Sequence, residues 1–207
     1  MSDDAKTKYR TPLREAQREQ MRNRILTAAR DLFYDRHYDT STMDDIAVAA
    51  GIRRSTLYLH YRDKAEILLE VITDYGGKAR RILATLPGPQ PSRAQVRTWV
   101  GDVASFIAKE RAPLSIIVEV RRRKGFSAAL DQLTDELLDS LGENNPRFRG
   151  AGAAPAPRAR ALMLLQVLTY ACEVYLEDPD NRCGQALLDV AAEDFHAFLA
   201  GQHAPSH

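Results

Sequence analysis

Two cysteines in 207 residues, Cys172 and Cys183, are too few for a disulfide scaffold, so reduced thiols in the cytoplasm are the simpler expectation. No uninterrupted apolar run reads as a membrane span, and the polar opening MSDDAKTKYR lacks the apolar centre of a signal peptide. A phosphate-binding glycine loop, an HExxH zinc motif and a CxxC pair are all missing. The cysteines make no convincing ligand set with the five histidines, and Asp194 with His196 does not establish a catalytic pair. The expectation is therefore no catalytic residue, no metal and no cofactor, and a chain that is not an enzyme. No internal repeat and no strand pattern compete with helical periodicity, which points to an all-α fold. What remains is globular in composition, 44% hydrophobic and 28% charged, with enough length for one large or two closely packed domains.

Net charge is only +1, but the charges are unevenly placed. Residues 6–36 hold nine Lys/Arg against four acids, and residues 78–124 hold eleven against three. Residues 125–207 reverse the balance, with five against twelve. A basic start can follow phosphates and an acidic distal half cannot, although long basic helices also occur simply as solvated faces.

The stretch from Asp39 to Lys64, DTSTMDDIAVAAGIRRSTLYLHYRDK, carries the most information. Thr42 and Asp45 form a capping-box signature, in which the hydroxyl accepts an orphan amide proton and the carboxylate returns to the cap amide. Ile46, Ala47 and Ala50 supply the apolar side of a compact helix. Gly51 stands where a tight turn needs a backbone conformation that glycine adopts without strain. A second short helix then carries Arg53, Arg54, Ser55, Thr56, Tyr58 and His60, and Asp63 with Glu66 repeats the capping signature. This order is that of a helix-turn-helix, which presents a short polar-faced helix to the DNA major groove. The side chains suit such a role. Arg53 and Arg54 can each pair with guanine or phosphate, and Thr56 can touch phosphate or a thymine methyl. Tyr58 can donate to phosphate, His60 can reach a base edge, and Lys64 can grip phosphate beside a helix start. Solvent exposure is the plainer role for each charged group, and packing for Tyr58.

Around this motif, a first helix is expected from near Gln17 to Tyr34 and a fourth from Lys64 to about Leu86, with Gly76 and Gly77 as places where it bends or frays. PGPQPS (87–92) reads as a connector. Further helices follow, one through Trp99, one opened by Pro113, one from Phe126 to Leu141, and two late ones around Arg158–Leu176 and Gln185–Leu199. ENNPRFRGAGAAPAPR (143–158) is rich in breakers and reads as a mobile loop. The domains expected are a flexible basic arm (1–16), a helix-turn-helix domain (17–63) and a distal helical domain (64–202).

From Ile25 to about Leu69, most sharply in TMDDIAVAAGI and STLYLHYRDK, the chain resembles the DNA-binding domain of the TetR family of transcriptional regulators. The resemblance implies an all-helical homodimer in which an N-terminal DNA-binding domain precedes a ligand-binding and dimerisation domain. It further implies a ligand-responsive regulator of double-stranded, palindromic operator DNA, most often a repressor. It places Thr42, Arg53, Arg54, Ser55, Thr56, Tyr58, His60 and Lys64 at the DNA interface, with Thr42 capping and touching phosphate and Lys64 contacting phosphate. Three residues depart from the family pattern: Arg53 where serine is frequent, Ser55 where glycine is common, and His37 in place of a loop glycine. A basic arm with Lys6, Lys8, Arg10 and Arg14 is a candidate for the minor groove.

By the same resemblance, the two late helices form a four-helix dimer interface through Leu162, Leu165, Thr169, Leu187, Val190, Ala191, Phe195 and Phe198. Two-fold symmetry would then set the recognition helices roughly 34–36 Å apart. A small, mainly hydrophobic effector is expected against Tyr75, Trp99, Val103, Phe106, Ile117, Val120, Leu137, Met163, Val167 and Tyr170. The same late helices could instead complete a monomer core, and the aromatic stripe could be ordinary packing. The competing readings are a regulator without an effector and a helical protein-interaction module without DNA preference.

Overall fold

A computed structural model describes residues 12–121, 123, 125–149, 155–178, 180 and 182–201. All regular structure among them is helical: α1 Pro12–Arg36, α2 Met43–Ala49, α3 Arg54–His60, α4 Lys64–Leu83, α5 Arg93–Lys109, α6 Arg111–Val120, α7 Ser127–Asn144, α8 Pro155–Glu177 and α9 Arg182–Leu199, with a 3-10 turn at Pro146–Phe148. The chain is all-α, as its periodicity predicts. Contacts divide it between Val71 and Ile72, within α4, whereas the sequence places the boundary before that helix.

In the first unit, α1 begins at Pro12, earlier than predicted, and takes Arg14 out of the expected arm. Proline at a helix start loses no hydrogen bond and already has the required φ. Lys6, Lys8 and Arg10 lie outside the described residues. Ile25, Ala29 and Phe33 of α1 join Ile46, Ala47, Leu57, Tyr61, Ile67 and Leu68 in a buried core. The Tyr38 ring meets Phe33 edge-on at 5.3 Å.

In the second unit, α5, α8 and α9 pack on one another around Trp99, Leu164, Leu168, Leu188 and Phe195. Ser92 and Gln95 form a full capping box that starts α5. Pro113 sits in the first turn of α6, not at its opening residue, again where an amide would have no helical partner. The segment read as a mobile loop contains ordered structure. Asn145 is fully buried and donates to the carbonyls of Pro87 and Gly88 at 3.1 Å each, which holds the 3-10 turn in place. Phe148, from that turn, packs against Phe198 at 4.9 Å and Phe195 at 6.3 Å. Residues 150–154 of the same segment lie outside the described residues.

Helix α8, Pro155–Glu177, is long and apolar enough to cross a bilayer by length and composition alone, a test that a core helix also passes. Its buried residues Ala161, Leu164, Leu168, Ala171 and Cys172 recur at three- and four-residue spacing, the stripe of a helix packed in a core.

Candidate nucleic-acid interface and ligand cavity

The first unit builds its site on the turn between α2 and α3. Thr42 caps α2: its hydroxyl accepts from the Asp45 amide at 3.2 Å, and the Thr42 amide donates to the Asp45 carboxylate at 3.0 Å. The Thr42 hydroxyl also donates to the Asp45 carboxylate at 2.6 Å, and this bond first, then the one from the Thr42 amide, holds the Asp45 carboxyl below its ordinary pKa. Gly51 has φ +61°, the left-handed conformation expected of it. A Cβ there would also meet the Arg24 guanidinium at 2.5 Å, and that side chain donates to the Gly51 carbonyl at 3.0 Å. Arg24 of α1 thus closes over the turn, and a side chain at Gly51 would have to displace its guanidinium as well as hold a left-handed backbone. Beneath α3, Tyr61 is buried beside Glu70, which is paired with Arg22. Burial first, and then the Glu70 carboxylate, push the Tyr61 phenol well above its ordinary range.

Leu57 anchors α3 in the core, and the opposite face is open. Arg53 and Arg54 are exposed, as is Ser55; Tyr58 is 43% exposed, and Thr56 and His60 are half-buried. Arg53 occupies the cap position but makes no side-chain cap bond, so the serine it replaces in the family pattern finds no substitute here. Arg54 donates to Asp44 of α2 at 2.9 Å and lies over the Tyr58 ring, 5.5 Å from its centre. Two residues of this face are absent from the sequence-based set. Asp44 becomes visible only once the turn folds α2 against α3. Leu59, 82% exposed, follows Ser55 by one helical turn, and its apolar type hid it.

Lys64 takes a role that the sequence does not reveal. Its ammonium donates to the carbonyls of Tyr38, Asp39 and Ser41 at 2.8, 3.0 and 2.9 Å, and lies 4.5 Å from the centre of the Tyr38 ring. An ammonium has three donors, and all of them are occupied by the loop between α1 and α2. His37 in that loop has φ +65°, so the missing glycine is replaced by a side chain held in left-handed backbone. The buried Ser41 hydroxyl donates to the His37 carbonyl at 2.8 Å. The Asp63 carboxylate accepts from the Glu66 amide at 2.9 Å, but Glu66 reaches back to the Arg62 amide rather than to Asp63, so the second capping signature is only half of a box.

The second unit encloses a cavity of about 310 Å³. Its walls are Tyr75, Ala79, Ile82 and Leu83 of α4, Val103, Phe106 and Ile107 of α5, Leu114, Ile117 and Val118 of α6, and Leu133, Thr134 and Leu137 of α7. Helix α8 adds Leu162, Leu165, Gln166, Leu168, Thr169 and Glu173, and Arg121 completes the lining. Burial, followed by the carboxylates of Glu110 and Glu173, raises the Tyr75 phenol pKa. The walls are apolar with a few polar groups, which suits a mainly hydrophobic guest.

Of the residues predicted to hold an effector, Tyr75, Val103, Phe106, Ile117 and Leu137 line this cavity. Trp99 instead packs in the core with its ring 5.0 Å from that of Phe195 and tilted by 54° to it, and Val120 is fully buried outside the lining. Met163, Val167 and Tyr170 face solvent, 67%, 38% and 56% exposed. Conversely Leu162, Leu165 and Thr169, predicted for a dimer interface, contribute to the cavity wall. Ala191 and Phe195, also predicted there, are fully buried within the chain; Leu187 and Phe198 are half-buried, and Val190 is 53% exposed. One cause explains the exchange on α8: each residue turns a helix by about 100°, so a shift of one position moves a side chain from cavity to solvent.

Two short helices joined through a left-handed glycine, with the second presenting a polar face, define a helix-turn-helix protein. Comparison with known proteins agrees. The pattern describing bacterial regulatory proteins of the tetR family matches residues 25–71. The transcriptional activator FasR of Mycolicibacterium smegmatis is 32% identical over 87 residues, 40% of each chain. The transcriptional repressor BepR of Brucella suis biovar 1 is 36% identical over 143 residues, 66% of each chain. The chain thus spans less than half of FasR and about two thirds of BepR. Among solved structures, that of the SmeT–triclosan complex superposes with a TM-score of 0.63 at 18% identity, covering 84% of this chain and 90% of the other, a likeness of fold. The chain belongs to the TetR family of bacterial regulatory proteins.

Proposed function

We propose that the protein is a cytoplasmic, homodimeric transcriptional regulator that binds a palindromic operator through α3 and is released by a small, mainly apolar effector. The observation that carries this reading is the open face of α3, where Arg54, Ser55 and Tyr58 project beside a turn held by Arg24 and Gly51. Guanidinium, hydroxyl and phenol on one short helix match base edges and phosphates. The dimer surface would be the solvent face of α8 and α9, where Met163, Val167, Tyr170 and Val190 leave apolar area open to water. The effector would occupy the α4–α8 cavity, and the structurally similar SmeT has been solved in complex with a small apolar molecule, triclosan.

Helix α4 runs unbroken from Lys64 to Leu83 and supplies Tyr75, Ala79, Ile82 and Leu83 to the cavity wall. A ligand that binds one seating of this wall better than another shifts the population of α4 poses, and by linkage the affinity for DNA. Repression has a precedent in the transcriptional repressor BepR, and activation in the transcriptional activator FasR. The ligand-independent alternative requires a filled second unit, which a cavity of about 310 Å³ disfavours. The test is selection of genomic fragments by the purified protein at fixed salt, followed by titration of the enriched site. A palindrome bound by a dimer and weakened by Arg54→Ala supports the reading. A folded protein with no sequence preference sinks it and favours a protein-interaction module.

A further inference from the structure

The helix-turn-helix carries two adjacent arginines whose surroundings differ. Arg54 is restrained on two sides: its Nη1 donates to Asp44 Oδ2 at 2.9 Å, and the guanidinium lies over the Tyr58 ring, with Nη2 3.5 Å from the phenol oxygen. The Arg53 carbonyl accepts from the Thr56 and Leu57 amides, but its guanidinium has no hydrogen-bond or ion-pair partner among the described residues. The Asp44–Arg54 pair is exposed on both sides, 63% for the arginine and 57% for the aspartate. Exposed pairs contribute little to stability, so the pair matters for orientation rather than for folding.

Resting on the DNA-binding reading above, we infer that Asp44 is a specificity-determining residue that divides the labour between the arginines. It holds Arg54 as a guanine-reading fork and leaves Arg53 to grip phosphate. The chemistry favours this division. A guanidinium has five donors, so Arg54 can keep Asp44 and still offer two parallel N–H groups to guanine O6 and N7. A phosphate would have to compete with the Asp44 carboxylate and be brought close to its negative charge. Arg53, with no carboxylate beside it, meets no such penalty. The pair also explains why an acid stands on a surface meant for a polyanion: its repulsion falls on wrong placements of Arg54, a cost applied to unwanted partners.

Wild type, Asp44→Asn, Arg54→Lys and Arg53→Ala are each presented with randomised duplex DNA. The affinity of the enriched site, and of that site with each guanine replaced, is then measured at several salt concentrations. Asparagine keeps the shape of Asp44 in the first turn of α2 and removes its charge, and thermal melting verifies that each variant is folded. Asp44→Asn is expected to lower discrimination at one guanine about tenfold. It also steepens the salt dependence by about one counterion, as Arg54 turns to phosphate. Arg54→Lys keeps the charge but not the fork, so it loses the same discrimination with an unchanged salt slope. Arg53→Ala weakens matched and mismatched sites alike and makes the slope shallower by about one. Unaltered discrimination in Asp44→Asn, whatever Arg54→Lys does, or relaxed specificity in Arg53→Ala, overturns the inference while leaving operator binding intact. Wild type that enriches no site overturns both this inference and the reading it rests on.

Discussion

Replacing Lys64 with methionine separates two accounts of this residue, because methionine keeps much of the aliphatic stem and removes every donor. In the structure the ammonium is bound to three carbonyls of the loop between α1 and α2, two of them through part-buried bonds. A hydrogen bond to a charged group contributes about 1.5 kcal/mol at the low end of its range. The stacking on Tyr38 adds about 0.5 kcal/mol, as for a cation over an exposed ring. Against these stands the freedom that an ordered lysine regains on release, about 1.5 kcal/mol. With the exposed bond to Asp39 counted as negligible, the loss is about 2 kcal/mol, confined to the loop that seats the Thr42 cap. Amide hydrogen exchange over residues 37–42 of the free protein reads this directly, and an acceleration of about thirtyfold is expected. Operator affinity falls as the loop loosens, but the slope of affinity against salt stays as in wild type, since no phosphate contact is lost. Unchanged exchange together with a slope shallower by about one would mean that Lys64 leaves the loop for phosphate, and the clamp would be refuted.

The two glycines of α4 should part company. A Cβ at Gly77 meets nothing nearer than the end of Arg81 at 3.9 Å, so Gly77→Ala is expected to raise the stability of the second unit by about 0.5–1 kcal/mol in chemical denaturation. A Cβ at Gly76 would lie 2.6 Å from Leu133 Cδ1, and Leu133 lines the cavity. Gly76→Ala should therefore gain nothing in stability and weaken the thermal shift produced by a bound apolar ligand. On α8, Tyr170→Asp should leave the circular dichroism unchanged and turn a dimer into a monomer in sedimentation; a dimer that persists would place the interface elsewhere. Phe195→Ala, by contrast, should cost about 3–5 kcal/mol, because that ring packs on Trp99 and Phe148. Burial pushes the Cys172 thiol from 9.0 up to about 12, so only the exposed Cys183 should react with a thiol reagent before unfolding. The shift also fixes a sign: below about pH 9 both states hold the proton, whereas between 9 and 12 only the folded state does, so the contribution of Cys172 to stability is lost as pH rises through that window.

What could be read from the sequence followed the range over which each determinant acts. Thr42 and Asp45, three positions apart, and Gly51 between two short helices are local devices, and each has in the structure the geometry that its type implies. The position of Leu57 against the polar residues around it likewise tells which side of α3 is buried. Lys64 was visible as a cation near a helix start, but its partners lie 23 to 26 positions back in the chain, and no periodic pattern encodes that return. Asp44 escaped for a similar reason, since its partner Arg54 is ten positions ahead across a turn. In the segment 143–158, breaker residues suggest a loop and say nothing of the 3-10 turn or of Phe148, whose burial depends on rings from α9.

Helix α8 shows why the distal unit is harder to read. Its central run ALMLLQVLTYA is apolar at nearly every position, so no contrast between polar and apolar faces marks which side points inward. Rotation is then decided by volume, not polarity. The stripe that fits against α5 and α9 is Ala161, Leu164, Leu168, Ala171 and Cys172, in which small residues let the helices approach. With that stripe fixed, Leu165 and Thr169 turn toward the cavity and Met163, Val167 and Tyr170 toward water. The assignment by resemblance carried over the general roles of the late helices but had no physical handle on their rotation. A face left apolar and unburied in an isolated chain is the residue of that packing choice, so any surface that a second subunit would cover is set by which side chains the core rejects. Substitutions that enlarge Ala161 or Ala171 would therefore disturb cavity, core and outer face together, because all three are cut from the same helix.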